Sequence, residues 1–127
     1  MILVLDSGAI TRLARRSPRS AAVIMALRGA GLWPPVVPTA VMVESLTGRP
    51  DRDAPTNQLL KTCDLDDRLS AARARRAAML RYRARRGSAV DAIVVAAAEP
   101  GGTVLSQDSD DLAALASHSD HVRIEVI

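Results

Sequence analysis

At 127 residues, 48% hydrophobic and 24% charged, the chain has the length and balance of one globular domain, 1–127, with a core of useful size, and is neither disordered nor fibrous in character. Its longest apolar runs, Ala21–Leu27 and Ala92–Ala98, are seven residues long, far short of a membrane span, and the lone Cys63 excludes an internal disulfide and a Cys-x-x-Cys metal site. The net charge of +3 hides a split. Residues 1–86 carry 16 of the 17 bases against 7 acids, and residues 87–127 carry Arg123 alone against 7 acids, a pairing of basic and acidic surface that suits a polyanion held near a metal.

In chain order, ILVL (2–5) is an apolar run of strand length, and Asp6-Ser7 directly after it can cap a helix over Gly8–Arg16. Ser17-Pro18 reads as an N-cap followed by proline at the first helical position, opening a helix that ends at Gly29 or Gly31. Pro34 and Pro35 confine the next strand to the residues after them. Thr39 is expected to cap a short helix, AVMVESL, closed by Gly48, and GRPDRDAP (48–55) has the composition of a polar loop. A short helix and a weak strand are expected between Pro55 and Leu65, then a long helix from Asp67 through Arg86. Ser88 caps a helix over SAVDAIVVAAA, apolar on all sides and expected to be buried. TVLS (103–106) is a strand, Asp108 is expected to cap DLAALAS, and the alternation of HVRIEVI closes the chain with a half-exposed strand. Strands alternating with helices predict a three-layer α/β/α domain around a mostly parallel sheet of about five strands. The N-terminus has no signal-peptide pattern, and the expected compartment is a reducing cytoplasm.

Ligands in such a fold bind beyond the carboxyl ends of the strands. Asp6 follows the first strand, Asp108 follows TVLS, and Glu44 and Asp91 lie near the starts of helices on the same side, so four separated acids can converge on one rim. Each also has a purely structural explanation: Asp6 and Asp108 as N-caps, Asp91 as the third residue of a capping box. Glu44 lies past the capping positions in an apolar frame. Two carboxylates about 4 Å apart repel by roughly 4 kcal/mol at an effective dielectric near 20, and a divalent cation reverses that sign. All-oxygen ligation selects Mg²⁺, or Mn²⁺, over zinc and suits phosphodiester hydrolysis. An aspartyl-phosphate phosphatase needs a second Asp where Gly8 stands. A receiver module needs a lysine after a late strand, and the only lysine is Lys61.

LDSGAI (5–10), VMVE (41–44), VDAIVVAAA (90–98) and TVLSQDSDDL (103–112) together resemble the PIN-domain nucleases, most closely the VapC toxins of bacterial toxin–antitoxin pairs. The resemblance implies a metal-binding, catalytic quartet of Asp6, Glu44, Asp91 and Asp108, with Asp110 assisting. The run DSDD leaves the register of the fourth acid open among Asp108, Asp110 and Asp111. The resemblance further implies cleavage of single-stranded RNA with Mg²⁺ or Mn²⁺ and neutralisation by a small VapB-like antitoxin, and exposed apolar side chains on a neighbouring face are expected to form a homodimer. That inhibitor is expected to lay an apolar helix on grooves between Ala9–Leu13 and Val41–Leu46. The alternative is a PIN-like module that binds RNA or protein without cutting.

Arg68–Arg86 holds 8 arginines and no acid. Leu69, Ala72, Met79 and Leu80 are expected to form its core stripe, with Arg81, Arg85 and Arg86 free for RNA phosphates. Arg76 and Arg83 fall near the stripe, as snorkelling stems, as phosphate contacts near the site or as pairs for an acidic partner. Ser7 and Ser106 are expected to position ligand or substrate through their hydroxyls, with no His nearby to make either a nucleophile. His118 and His121 read as surface residues, and Cys63 as a small buried filler.

Overall fold

The computed structural model describes all 127 residues, and five short strands form its centre. β1 (Leu3–Leu5), β2 (Val36–Pro38), β3 (Asp64–Asp66), β4 (Thr103–Ser106) and β5 (Arg123–Val126) lie in the order β3-β2-β1-β4-β5, every pair parallel. Leu3, Val4 and Leu5 pair with Thr103, Val104 and Leu105, and all six are buried, as central strands covered on both faces must be. The edges carry charge instead, Asp64 and Asp66 on β3 and Arg123 and Glu125 on β5, which discourages further strand pairing.

Parallel strands need crossovers, and seven helices supply them: α1 (Ser7–Ala14), α2 (Pro18–Gly29), α3 (Thr39–Ser45), α4 (Pro50–Leu60), α5 (Ala71–Ala84), α6 (Ala89–Ala98) and α7 (Asp110–Ala116). On one side α6 packs on β1, β2 and β4 and holds α5 and α7 beside it. On the other, α1 packs on β1 and β4 and gathers α2, α3 and α4. This is the expected three-layer α/β/α domain. Ala92 and Val94–Ala98 are all buried, and their small side chains let α6 lie against the sheet. Three helix starts follow the expected chemistry. Asp6 Oδ1 accepts from Ala9 N at 2.8 Å, Ser17 Oγ from Ser20 N at 3.1 Å with Pro18 behind it, and Ser88 Oγ from Asp91 N at 3.0 Å.

Five expectations fail. The stretch 48–55 is not a loop: Pro50 opens α4, and Asp51 and Asp53 occupy its first turn, where acids favour a helix N-terminus. Asp53 is buried and gathers the chain before it, Oδ1 accepting from Thr47 N and Oγ1 and Oδ2 from Gly48 N, each at 2.9 Å. Those donors, the Thr47 amide foremost, hold its pKa below the usual carboxylate range. The arginine helix starts at Ala71 under a Ser70 cap, not at Asp67, and ends in Arg85 with φ 55°. Its buried positions are Ala77 and Leu80, while Ala72 is exposed and Leu69 and Met79 are 49% and 39% exposed. Finally, Thr39 is the first residue of α3 rather than its cap, and Asp108 stands before Ser109, the N-cap position of α7.

Leu80→Ala should therefore cost about 2–5 kcal/mol in urea denaturation, and Leu69→Ala or Met79→Ala well under about 1 kcal/mol. Equal losses at all three positions would restore the stripe read from sequence.

Candidate active site

The strand order turns outward in both directions from the β1–β4 pair, and the crevice at its carboxyl end is where such sheets bind ligands. Asp6 N donates to Leu105 O at 3.3 Å, extending the pairing one residue past β1 and fixing Asp6 beside Ser106. A cavity of about 210 Å³ opens there, lined by Asp6, Ser7, Gly8, Asp91, Ser106, Gln107, Asp108, Asp111 and Leu112. Gly8 is the close approach of α1 to the loop after β4. A Cβ on it would lie 3.3 Å from Gln107 Cβ and 3.5 Å from Asp6 Oδ1. A larger cleft of about 470 Å³ lies at the far end of α1, but its one acid, Asp53, is committed to Thr47 and Gly48. The carboxylate chemistry belongs to the smaller cavity.

Asp6 is 9% exposed. Its burial raises its pKa, and the charge of Asp91 raises it further, against the lowering by Ser106, Ala9 and Gly8. The Ser106 hydroxyl, itself buried, lies 2.5 Å from Asp6 Oδ2 and 2.8 Å from Asp108 O, and accepts from Asp108 N at 3.1 Å. A hydroxyl has one proton and serves only one of those two acceptors at a time. The proton goes to Asp6 Oδ2, with Asp108 O in reach of the same hydroxyl. Ser106 thus faces inward and orients Asp6.

The other acids are held locally. Asp91 completes the capping box, Oδ2 accepting from Ser88 N at 3.1 Å. Asp108 is exposed, and its Oδ1 accepts from Asp110 N at 3.2 Å. Asp111 pairs with Arg86, Nε to Oδ1 at 2.7 Å, and the hydrogen bond and charge of Asp111 raise the Arg86 pKa. Glu44 and Asp110 are outside the lining. Glu44 is exposed near the end of α3, whose buried contact is Val41, and Asp110 is an exposed first residue of α7. The cavity thus unites Asp6, Asp91 and Asp108, adds Asp111, and leaves out Glu44 and Asp110. Gln107 enters the lining with no signal in the sequence, and the Arg86–Asp111 pair joins an arginine expected to be free for RNA to one of the three candidates for the fourth acid.

The donor chemistry fits a hard divalent cation: every donor is an oxygen, and the buried Asp6 is destabilised by a neighbouring carboxylate that a cation would neutralise. The carboxylates stand apart as folded, since no three His, Cys, Asp or Glu side chains are close enough to hold one ion. Asp91 and Asp108 are tied only by single hydrogen bonds to backbone amides, which side-chain rotation releases.

The arginines are more committed than expected. Arg81 Nε donates to Gly87 O at 3.1 Å, Arg86 is paired, and Arg85 alone of the three is without a side-chain partner. Arg76 pairs with Glu99 through both Nε and Nη2, at 2.9 and 2.7 Å. Gly87 has φ +93°, and a Cβ on it would press on Leu115 Cδ1 at 2.8 Å. Ala9, Ile10, Leu13 and Val41 point into the core, so the groove expected to take an apolar helix exposes Val43 and little else that is apolar. His118 and His121 are exposed, and burial pushes the half-buried Cys63 thiol up to about 11.

No family model matches the chain, and no curated protein does. A solved structure does: a chain in the crystal structure of VapBC2 from Rickettsia felis bound to a DNA fragment from their promoter, with a TM-score of 0.76 over 100% of this chain and 99% of that chain at 12% identity. The two chains share one fold. It is the PIN-like architecture that the sequence resemblance implied. No helix of the chain is long and apolar enough to cross a membrane.

Asp6→Asn tests the electrostatics. A carboxyl whose folded pKa lies above its unfolded value destabilises the fold at pH above both, and the penalty disappears as pH falls through the folded pKa to the ordinary value near 3.9. In EDTA the variant should be more stable than wild type at pH 7, with the gap closing towards pH 4 in urea titrations. A gap that widens on acidification would contradict a raised Asp6 pKa.

Proposed function

We propose that this chain is a Mg²⁺- or Mn²⁺-dependent endoribonuclease of the VapC kind, cutting single-stranded RNA and restrained by a VapB-like antitoxin. The observation that carries the proposal is the buried Asp6, held at the sheet's switch point by Ser106 and opposed by the charge of Asp91. A fold has no stabilising use for two like charges at the edge of its core, whereas a cation-binding centre requires them.

Asp6, Asp91 and Asp108 are the residues that would hold the cation, with Asp111 and its Arg86 partner at the rim. When bound, the cation would lower the pKa of a water and offset charge on the scissile phosphate. Ser106 keeps Asp6 turned towards the cavity, Gly8 keeps α1 close to the β4–α7 loop, and Ser7 offers a hydroxyl at the mouth. Arg85, Arg75, Arg83 and Arg68 are exposed cations on and beside α5 that suit RNA phosphates. The solved VapBC2 structure, a complex of toxin–antitoxin type in name, supports a small protein partner here. A homodimer belongs to the same proposal, as does a cytoplasmic location.

The competing reading, a PIN-like module that binds without cutting, draws on the separation of the carboxylates. Incubation with RNA, with and without Mg²⁺ or Mn²⁺, decides between them. Asp91→Asn should cut cleavage about 100-fold or more with the fold intact. Unaltered cleavage by that variant, or none by wild type, removes the nuclease reading.

Linkage offers a second test. A cation present at about 100 times its Kd should stabilise the native state by roughly 2.7 kcal/mol, seen as a rise in Tm. Asp6→Asn and Asp108→Asn should blunt the rise. If Asp111→Asn removes it and Asp108→Asn does not, the fourth acid is Asp111.

A further inference from the structure

The 470 Å³ cleft at the far end of α1 lies between α1, α3 and α4, away from the carboxylates. Arg15, Arg16 and Arg52 line it, all exposed, and none makes an ion pair or a side-chain hydrogen bond. Thr11 and Ser45 in its wall donate their hydroxyl protons to Ser7 O and Val41 O, which leaves the arginines and Thr56 as the donors available to a ligand. With Asp53 committed to Thr47 and Gly48, no acid in the wall is free to neutralise the arginines. The result is a concave, hydroxyl-lined site with three unpaired guanidinium groups, the chemistry that receives phosphate.

The position of the cleft narrows the ligand. Ser7 and Thr11 lie one turn apart on a single face of α1, and Arg15, the C-cap of that helix, follows four residues on. Ser7 lines the carboxylate cavity, and Thr11 and Arg15 line the cleft. About 12 Å of helix separates Ser7 from Arg15, a span of roughly four nucleotides at roughly 3.4 Å per stacked nucleotide. The wall holds Ala14 and Pro55 as its only apolar residues and no aromatic, so it offers a peptide helix no anchors and a base no stacking platform.

We infer that this cleft is a distal subsite for the phosphate backbone of a single-stranded nucleic acid that runs along the Ser7–Thr11–Arg15 face into the carboxylate cavity. The inference rests on the nuclease reading for the direction of the strand, and it makes recognition there independent of base sequence.

The test is the double variant Arg15→Gln, Arg52→Gln, whose unchanged Tm is expected because both side chains are exposed and unpaired. Binding is read in EDTA by fluorescence anisotropy with a labelled uridine decamer and a uridine dinucleotide. The decamer should bind at least about tenfold more weakly to the variant, and its salt slope should fall by about 1.4 for two lost phosphate contacts. Dinucleotide binding should not change. Equal decamer affinity and slope in the two proteins would overturn the inference. So would a glutamate-rich decapeptide that binds wild type more tightly than the RNA and loses that advantage in the variant, since it would assign the cleft to a protein partner. If wild type fails to cleave RNA with Mg²⁺ or Mn²⁺ while the variant still loses decamer binding, the nuclease reading fails and the nucleic-acid subsite stands.

Discussion

Burial of a carboxylate at the junction of β1 and α1 is the constraint around which the domain is arranged. Asp6 ends the central strand, caps the first helix and faces Ser106 across the sheet. Each role limits the next. The cap fixes Oδ1 on Ala9 N, which leaves Oδ2 for Ser106. The Ser106 contact requires β4 to lie beside β1, and the pairing of Leu5 with Leu105 provides that. The Asp91 charge then enters from α6 on the opposite layer. An acid satisfied by hydrogen bonds alone would have a lowered pKa, and the net rise in Asp6 shows burial and repulsion prevailing.

The uneven charge of the chain becomes intelligible in three dimensions. The acidic final third supplies β4, α7 and the start of α6, which border the carboxylate cavity, while the basic part supplies Asp6 and the start of α1 to that cavity and the arginines of the separate cleft between α1, α3 and α4. Two ion pairs join the halves. Arg76 grips Glu99 at the end of α6, where partial burial makes the bidentate geometry worth more than an exposed pair. Arg86 meets Asp111 at the rim, half exposed, where its effect is on the local field more than on stability.

Much of this was legible in the sequence because the signals were local and redundant. Ser17-Pro18, the Ser88 capping box and the small apolar run after it each specify an element by chemistry that acts within four residues. Asp6 and Asp108 were placed by adjacency to strands, which the sheet preserves. The errors arose where a tertiary partner overrides composition. α4 looks like a turn until Asp53 is seen gathering the backbone of Thr47 and Gly48. On α5 the contact with α6 selects Ala77 and Leu80, and Leu69 precedes the helix. Glu44, expected at the rim from its apolar neighbourhood, is exposed near the end of α3 and lies outside the cavity lining. The basic cleft joins residues 11–16 to residues 45–56, a proximity that no periodicity encodes.

The turn between α5 and α6 ties three features together. Arg86 reaches Asp111 from one side of Gly87, and Ser88 starts α6 from the other, while the carbonyl of Gly87 itself receives Arg81. The positive φ strains any side chain there, and its Cβ would press on Leu115 Cδ1 at 2.8 Å. The rim pair, the register of the capping box and the end of α5 are therefore not three independently variable traits. A side chain at position 87 would strain all three at once.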